Sequence, residues 1–180
     1  EEPSDSHRRR MGTLLETPNF YHYLSAVQNL SISSAIKEHG AEDIDKVIEI
    51  VGLAHRKKSA FSTYSLGMKQ RLAIGAAILG NPEVLIFDEP TNGLDPVGIA
   101  EIRTLIKELA KQGKTIIMAS HLLDEVEKVC THVAILKQGK LIASGHVNDI
   151  FVTDDIVQVG ADEISQLQDI ALQAHGCTKA

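Results

Sequence analysis

Two adjacent acids, Asp88 and Glu89, close the apolar run Val84-Leu85-Ile86-Phe87, and Pro90 follows them. The run reads as a buried strand. Pro90 ends it because proline cannot donate to a ladder. Acids at the C-terminal end of a buried parallel strand lie where open α/β sheets bind ligands. One carboxylate there can hold a magnesium ion through water. The other can orient and deprotonate an attacking water. Taken alone, the pair reads more readily as an acidic, solvated turn. His121 holds a comparable place after a second apolar run, Thr115 to Ala119. A lone His there is more often a satisfied core residue than a catalyst. Ser65, two residues before Gly67, precedes an apolar-periodic stretch. A hydroxyl and a glycine at a helix N-terminus make a ready anion site, and the simpler reading is that Ser65 caps its own helix.

These groups need a frame. Met11 to Leu15 is a short strand candidate leading to Glu16. Glu16 reads as a metal-binding acid or as an acid opening a loop before Pro18. Phe20, Tyr21 and Tyr23 read either as a docking patch for a partner helix or as core. Ser25 to Ile36 reads as a helix, and Ala41 to Val51 as a clearer one, with Ile44, Val47, Ile48 and Val51 at helical spacing and Gly52 as its stop. The basic run Arg56-Lys57-Lys58 reads as a solvated face. The helix after Ser65 carries Met68, Leu72, Gly75, Ala76 and Leu79 on one face. Pro96 opens a long helix with Ile99, Ile102, Leu105, Ile106 and Leu109 inward and Gly113 as its stop. A helix over Leu122 to Cys130 precedes a hairpin, His132 to Lys137 and Lys140 to Ser144, around Gln138-Gly139. Gly145 to Phe151 reads as a helical turn, Asp155 to Ala161 as a strand and Asp162 to His175 as a helix.

The 180 residues are 43% hydrophobic, enough for one good core and part of a second. A formal net charge of -6 argues against nucleic acid as a partner. No apolar run reaches membrane-spanning length, and no signal peptide is visible. Cys130 and Cys177 lack metal-ligand spacing and suggest reduced thiols in the cytoplasm. The chain begins at Glu1 rather than Met, which suggests a piece of a longer protein. Gly113-Lys114-Thr115 looks like the end of a phosphate-binding loop, but that pattern requires Gly at position 108, which is Glu108, and a strand before it rather than a helix.

In this order and spacing, the features resemble the ABC-type ATPases. Tyr64-Ser65-Leu66-Gly67-Met68-Lys69-Gln70-Arg71 resembles the family signature, and Leu85-Ile86-Phe87-Asp88-Glu89 its Walker B strand. Asn92-Gly93-Leu94-Asp95 resembles its D-loop, and the His of Ala119-Ser120-His121 its switch histidine. The resemblance runs from about Arg10 to Gly145 and is nearest to the ATPase subunits of bacterial multidrug or antibiotic-export ABC transporters. It implies an α/β fold: an incomplete P-loop NTPase-type parallel sheet with an inserted all-α signature subdomain. The implied segments are 1–19 (N-terminal segment and Q-loop region), 20–80 (helical signature subdomain), 81–150 (ATPase core) and 151–180 (start of a C-terminal accessory region).

The resemblance also implies roles. Asp88 would hold magnesium through water, Glu89 would polarise the attacking water, and His121 would contact the γ-phosphate of ATP. Ser65, Leu66, Gly67 and Met68 would face the γ-phosphate bound on a second ABC ATPase subunit in a head-to-tail dimer, with Leu66 replacing a family glycine. Asp95 would reach across that interface. Glu16 stands where the family has the Q-loop Gln. It would be a stronger magnesium ligand than Gln, with added negative charge. The segment after it would face a membrane permease, so the chain would lie in the cytoplasm, peripheral to the inner face of the membrane. The reaction would be in-line attack of water on the γ-phosphate.

The expected Gly-rich phosphate loop is missing from the sequence, and with it the adenine-stacking aromatic. The reading is therefore a C-terminal fragment, expected to be inactive alone. In the family fold the phosphate-loop strand would lie between the strand ending at Ala119 and the strand His132 to Lys137, leaving a slot. The alternatives are a non-catalytic module that supplies the signature helix in trans and a soluble ABC ATPase with no transporter.

Overall fold

The computed structural model describes residues 10–151. The strand expected over Asp155 to Ala161, the helix over Asp162 to His175, Cys177 and nearly all of the 151–180 segment lie outside the described residues. The chain divides into two units, with the boundary between Thr131 and His132.

The first unit is built on a three-stranded parallel sheet in the order β1 (Met11–Leu14), β2 (Val84–Asp88), β3 (Thr115–Ala119). Leu14 pairs with Phe87, and Asp88 with Ala119. The sequence between β1 and β2 holds the helical region: α1 (Ala26–Lys37), a 3-10 turn leading into α2 (Ile44–Ile50), and α3 (Leu66–Ile78). Then α4 (Pro96–Lys111) joins β2 to β3, and α5 (Leu123–Val129) follows β3.

Local chemistry sets these limits. Ser25 and Gln28 form a reciprocal capping box at the start of α1. Ser65 Oγ accepts from the Met68 N–H at 3.2 Å, and Asp95 Oδ1 from the Gly98 N–H at 2.9 Å, starting α3 and α4. Gly113 ends the turn after α4 at φ +88°, a left-handed conformation that disfavours residues with a Cβ.

One continuous core joins α1 to α4 and one face of the sheet through Leu30, Ile48, Phe61, Leu72, Ile74, Leu79, Leu85, Phe87, Ile102 and Leu109. Each such side chain contributes about 1.5–3 kcal/mol by leaving water. α3 crosses β1 so closely that a Cβ on Gly12 would sit 2.1 Å from the Ala77 carbonyl oxygen. Lys37 Nζ donates to the carbonyls of Ala76 (2.7 Å) and Ala77 (3.3 Å) at the end of the same helix.

The expectation that β2 and β3 are buried strands holds on one face of β2, while β3 is only half-buried there, at Ile116 and Met118. Leu85 and Phe87 are buried, while Ile86 is 37% and Ile117 57% exposed. The run of apolar residues suggested cover on both faces; among the described residues only one face has it. β3 is an edge strand of this sheet among the described residues.

The second unit is an antiparallel hairpin, β4 (His132–Lys137) with β5 (Lys140–His146), followed by the short α6 (Val147–Ile150). Gln138 and Gly139, at φ +50° and +75°, form the two-residue turn. The β5 strand runs through Gly145 to His146, so the helical turn begins later than expected. Val147 is buried in this unit.

Candidate functional site at the strand ends

Parallel pairing of Asp88 with Ala119 brings the residues after β2 and β3 out at the same end of the sheet. The Glu89 N–H donates to the Ala119 carbonyl at 3.0 Å, one step past the strand. Glu89 lies at φ +47°. A non-glycine residue held there is strained and must be fixed by its surroundings. The fixing groups are the Ala119 carbonyl, the buried Pro90 and Thr91, and the Asn92 N–H, which donates to the Glu89 carbonyl at 3.1 Å. The turn therefore aims the Glu89 side chain. Its Oε2 lies 2.9 Å from Nδ1 of His121.

The reading of His121 as a satisfied core residue fails, because its side chain is 62% exposed and its partner is a carboxylate. Glu89 is 20% exposed. A carboxylate against Nδ1 fixes the ring's orientation and favours a proton on that nitrogen. Glu89 can accept a proton from a water, and His121, when its ring carries both protons, can present its Nε2–H toward an anion. Asp88 is exposed at the last position of β2.

Glu16 reaches the same turn. The Asn92 Nδ2 donates to Glu16 Oε1 at 2.8 Å, across 76 residues of sequence. Asn92 was read only as the first residue of the D-loop-like stretch Asn92-Gly93-Leu94-Asp95. Nothing in its local spacing signals the long-range contact.

Ser65 stands at the exposed start of α3 and caps it, so the capping reading holds. Leu66 is 47% exposed, Gly67 is half-buried, and the Met68 N–H is taken by the Ser65 hydroxyl. A Cβ built on Gly93 would lie 3.3 Å from Leu66 Cδ2, which brings the signature turn beside the 92–95 turn. Asp95 is exposed and caps α4.

The aromatic stretch after Glu16 divides between core and surface. Phe20 packs edge-on against the buried Phe61, with ring centroids 5.2 Å apart. Tyr21 and Tyr23 are 52% and 76% exposed. Sequence reasoning missed the clamp beneath them. The buried Asn29 accepts from the Tyr21 N–H at 2.9 Å, and its Nδ2 lies within hydrogen-bonding reach of the Tyr21, Leu24 and Ser25 carbonyls. The available signal was a lone Asn beside Leu30 on the inward side of α1.

The donor set bears on magnesium. No group of three or more His, Cys, Asp or Glu side chains that could hold a metal ion occurs among the described residues. The exposed carboxylates of Asp88 and Glu16 suit a hard cation that keeps its waters and takes its other oxygens from phosphate. They fit magnesium in that form, not a cage of protein ligands.

A sequence profile described as ABC transporter matches residues 1–92. Over 136 residues the chain is 52% identical to the bacitracin transport ATP-binding protein BcrA of Bacillus licheniformis, covering 74% of this chain and 44% of that one. It is 39% identical to the lantibiotic transport ATP-binding protein SrtF of Streptococcus pyogenes, over 74% of this chain and 58% of the relative. The chain thus spans about half the length of the curated relatives it matches. Among solved structures, CbiO1 of Clostridium perfringens, part of the ABC transporter complex cbiONQ, superimposes with a TM-score of 0.72 at 33% identity. That match covers 80% of this chain and 60% of CbiO1. A parallel sheet with paired strand-end groups, a capped signature helix inserted between β1 and β2, and a profile match over half its length together make this chain a member of the ABC transporter family.

Proposed function

We propose that this chain is part of the nucleotide-binding subunit of an ABC transporter that couples ATP binding and hydrolysis to export through a membrane permease. The observation that carries this reading is the 2.9 Å contact between Glu89 and His121 at adjacent strand ends. In the proposed mechanism Glu89 takes a proton from the attacking water, and His121, held at Nδ1 by Glu89, donates toward the γ-phosphate through Nε2–H in its doubly protonated form. A magnesium ion held at Asp88 and Glu16 would supply charge neutralisation between phosphate oxygens. The remaining catalysis is positioning and electrostatic stabilisation. The names of BcrA and SrtF support an antibiotic or lantibiotic peptide as the exported class. The membrane-facing surface in this reading is the exposed Tyr21 and Tyr23, seated by Asn29. The four segments bounded at residues 19, 80 and 150 remain our division of the chain by role, with the subunit at the inner face of the membrane.

A second reading has its own observation. Ser65 and Leu66 are exposed at the start of α3, free to meet a nucleotide held by another subunit. Since the 180 residues contain no G-x-x-x-x-G-K-[ST], this stretch by itself would donate a signature helix in trans rather than own a nucleotide. The test is Mg-ATP turnover by the full-length product of the reading frame and its Glu89→Gln variant. Retained binding with lost turnover supports the catalytic reading; unchanged turnover in the variant removes it.

A further inference from the structure

Glu16 and Asn92 are both exposed, yet their side chains meet at 2.8 Å. An exposed amide–carboxylate hydrogen bond adds little stability, because water competes for both groups. Its effect is on geometry. Asn92 has two attachments. Its side chain holds Glu16, on the loop after β1, and its backbone N–H holds the carbonyl of Glu89 at 3.1 Å. Glu89 in turn holds His121 through its side chain. Asn92 thus sits between two acids from separate segments and fixes one by side chain and the other by main chain. It occupies one oxygen of Glu16, Oε1, and a carboxylate has a second oxygen to offer a cation or a cation-bound water. An amide is suited to this place. It donates to a carboxylate without a charge of its own, so it adds nothing to the field of Asp88 and Glu89.

We propose that Asn92 is the positioning residue for the Glu16 carboxylate, setting its orientation and its distance from the β2 strand end during ATP hydrolysis. The proposal rests on the hydrolytic reading above. It makes the polarity of the pair, amide against carboxylate, the property that matters.

The experiment is a polarity swap in the full-length protein. Asn92→Asp places a carboxylate against Glu16, and kcat is expected to fall about tenfold or more, since small misplacements cost that much. KM for Mg-ATP is expected to stay within about threefold, because phosphate binding is not what Asn92 supports. Adding Glu16→Gln to Asn92→Asp restores an amide facing a carboxylate, with the roles exchanged. The double variant is expected to recover kcat to within about threefold of Glu16→Gln alone. An Asn92→Asp protein with near-wild-type kcat, or a double variant more than about threefold slower than Glu16→Gln alone, would overturn the proposal.

A second measurement reads the contact without activity. The Asn92 side-chain amide resonance is expected to shift between wild type and Glu16→Ala. An unmoved resonance would overturn the proposal whether or not ATP is hydrolysed. A wild-type protein that shows the shift but no ATP turnover would instead overturn the hydrolytic reading, and with it the role given to Asn92.

Discussion

The carbonyl oxygen of Ala77, in the last turn of α3, fills the space that a side chain on residue 12 would need, with 2.1 Å between it and an ideal Cβ. The helix that starts at Ser65 therefore ends directly against the strand that leads to Glu16. Gly12→Ala is expected to destabilise the protein by about 1–3 kcal/mol or more, the range for overpacking a dense interior. Urea unfolding measures this directly. An unchanged midpoint would show that the helix does not lie this close.

Lys37 braces the same junction. Burial lowers the pKa of its ammonium below the usual lysine value, while the Ala76 and Ala77 carbonyls give it acceptors. Lys37→Met is expected to cost about 1–2 kcal/mol at neutral pH, through loss of charged hydrogen bonds at a helix C-terminus. The pH dependence has a definite sign. Between the lowered folded pKa and the unfolded value the unfolded chain binds more protons, so the wild type gains stability as pH rises. The wild-type advantage over Lys37→Met should therefore widen through that alkaline window, as followed by unfolding at a series of pH values.

Glu89→Gln and His121→Ala separate chemistry from binding. In the full-length protein each is expected to lower ATP turnover about a hundredfold or more, in line with removal of a positioned base. Mg-ATP affinity should change far less, and calorimetric titration beside a phosphate-release assay shows the split. Glu89 also sits at φ +47°, so Glu89→Gly is expected to keep or raise stability while losing activity. A fall in stability for Glu89→Gly would mean that the turn is not strained.

Ser65→Ala removes the cap of α3, an effect of about 1 kcal/mol. If Ser65 only caps, turnover per folded molecule stays at the wild-type level. If it also serves a phosphate on a partner subunit, turnover falls much further than stability does. Ser65→Asp is a useful companion: it keeps a cap and places a negative charge where phosphate would sit, so it should spare the helix and abolish turnover.

Much of this was legible in sequence because it is local. Helical spacing and terminal residues marked α2, α3 and α4, and the apolar runs ending at Asp88 and Ala119 gave both strands and their terminal groups. Glu89 and His121 could be nominated from their places after those strands. Their contact could not, since it depends on the β2–β3 register and on the left-handed backbone at Glu89. Asn92 and Asn29 were missed for a related reason. Each acts through partners fixed by the tertiary fold, and an Asn in a turn or helix carries no mark of a distant partner. The apolar composition of β2 and β3 suggested two covered faces, whereas Leu85, Phe87, Ile116 and Met118 on one face meet the core and Ile86 and Ile117 are exposed. Composition records what a strand can bury, not whether a covering element is beside it.

The open side of β3 bears on handling. Among the described residues its outward edge has no strand partner and lies beside exposed isoleucines, the combination by which sheets recruit foreign strands. A recombinant polypeptide limited to these 180 residues should scatter light increasingly with concentration and need a chaperone, or a fused complementary segment, to remain dispersed. Ile117→Lys would act as a gatekeeper, delaying that precipitation without touching Asp88, Glu89 or His121.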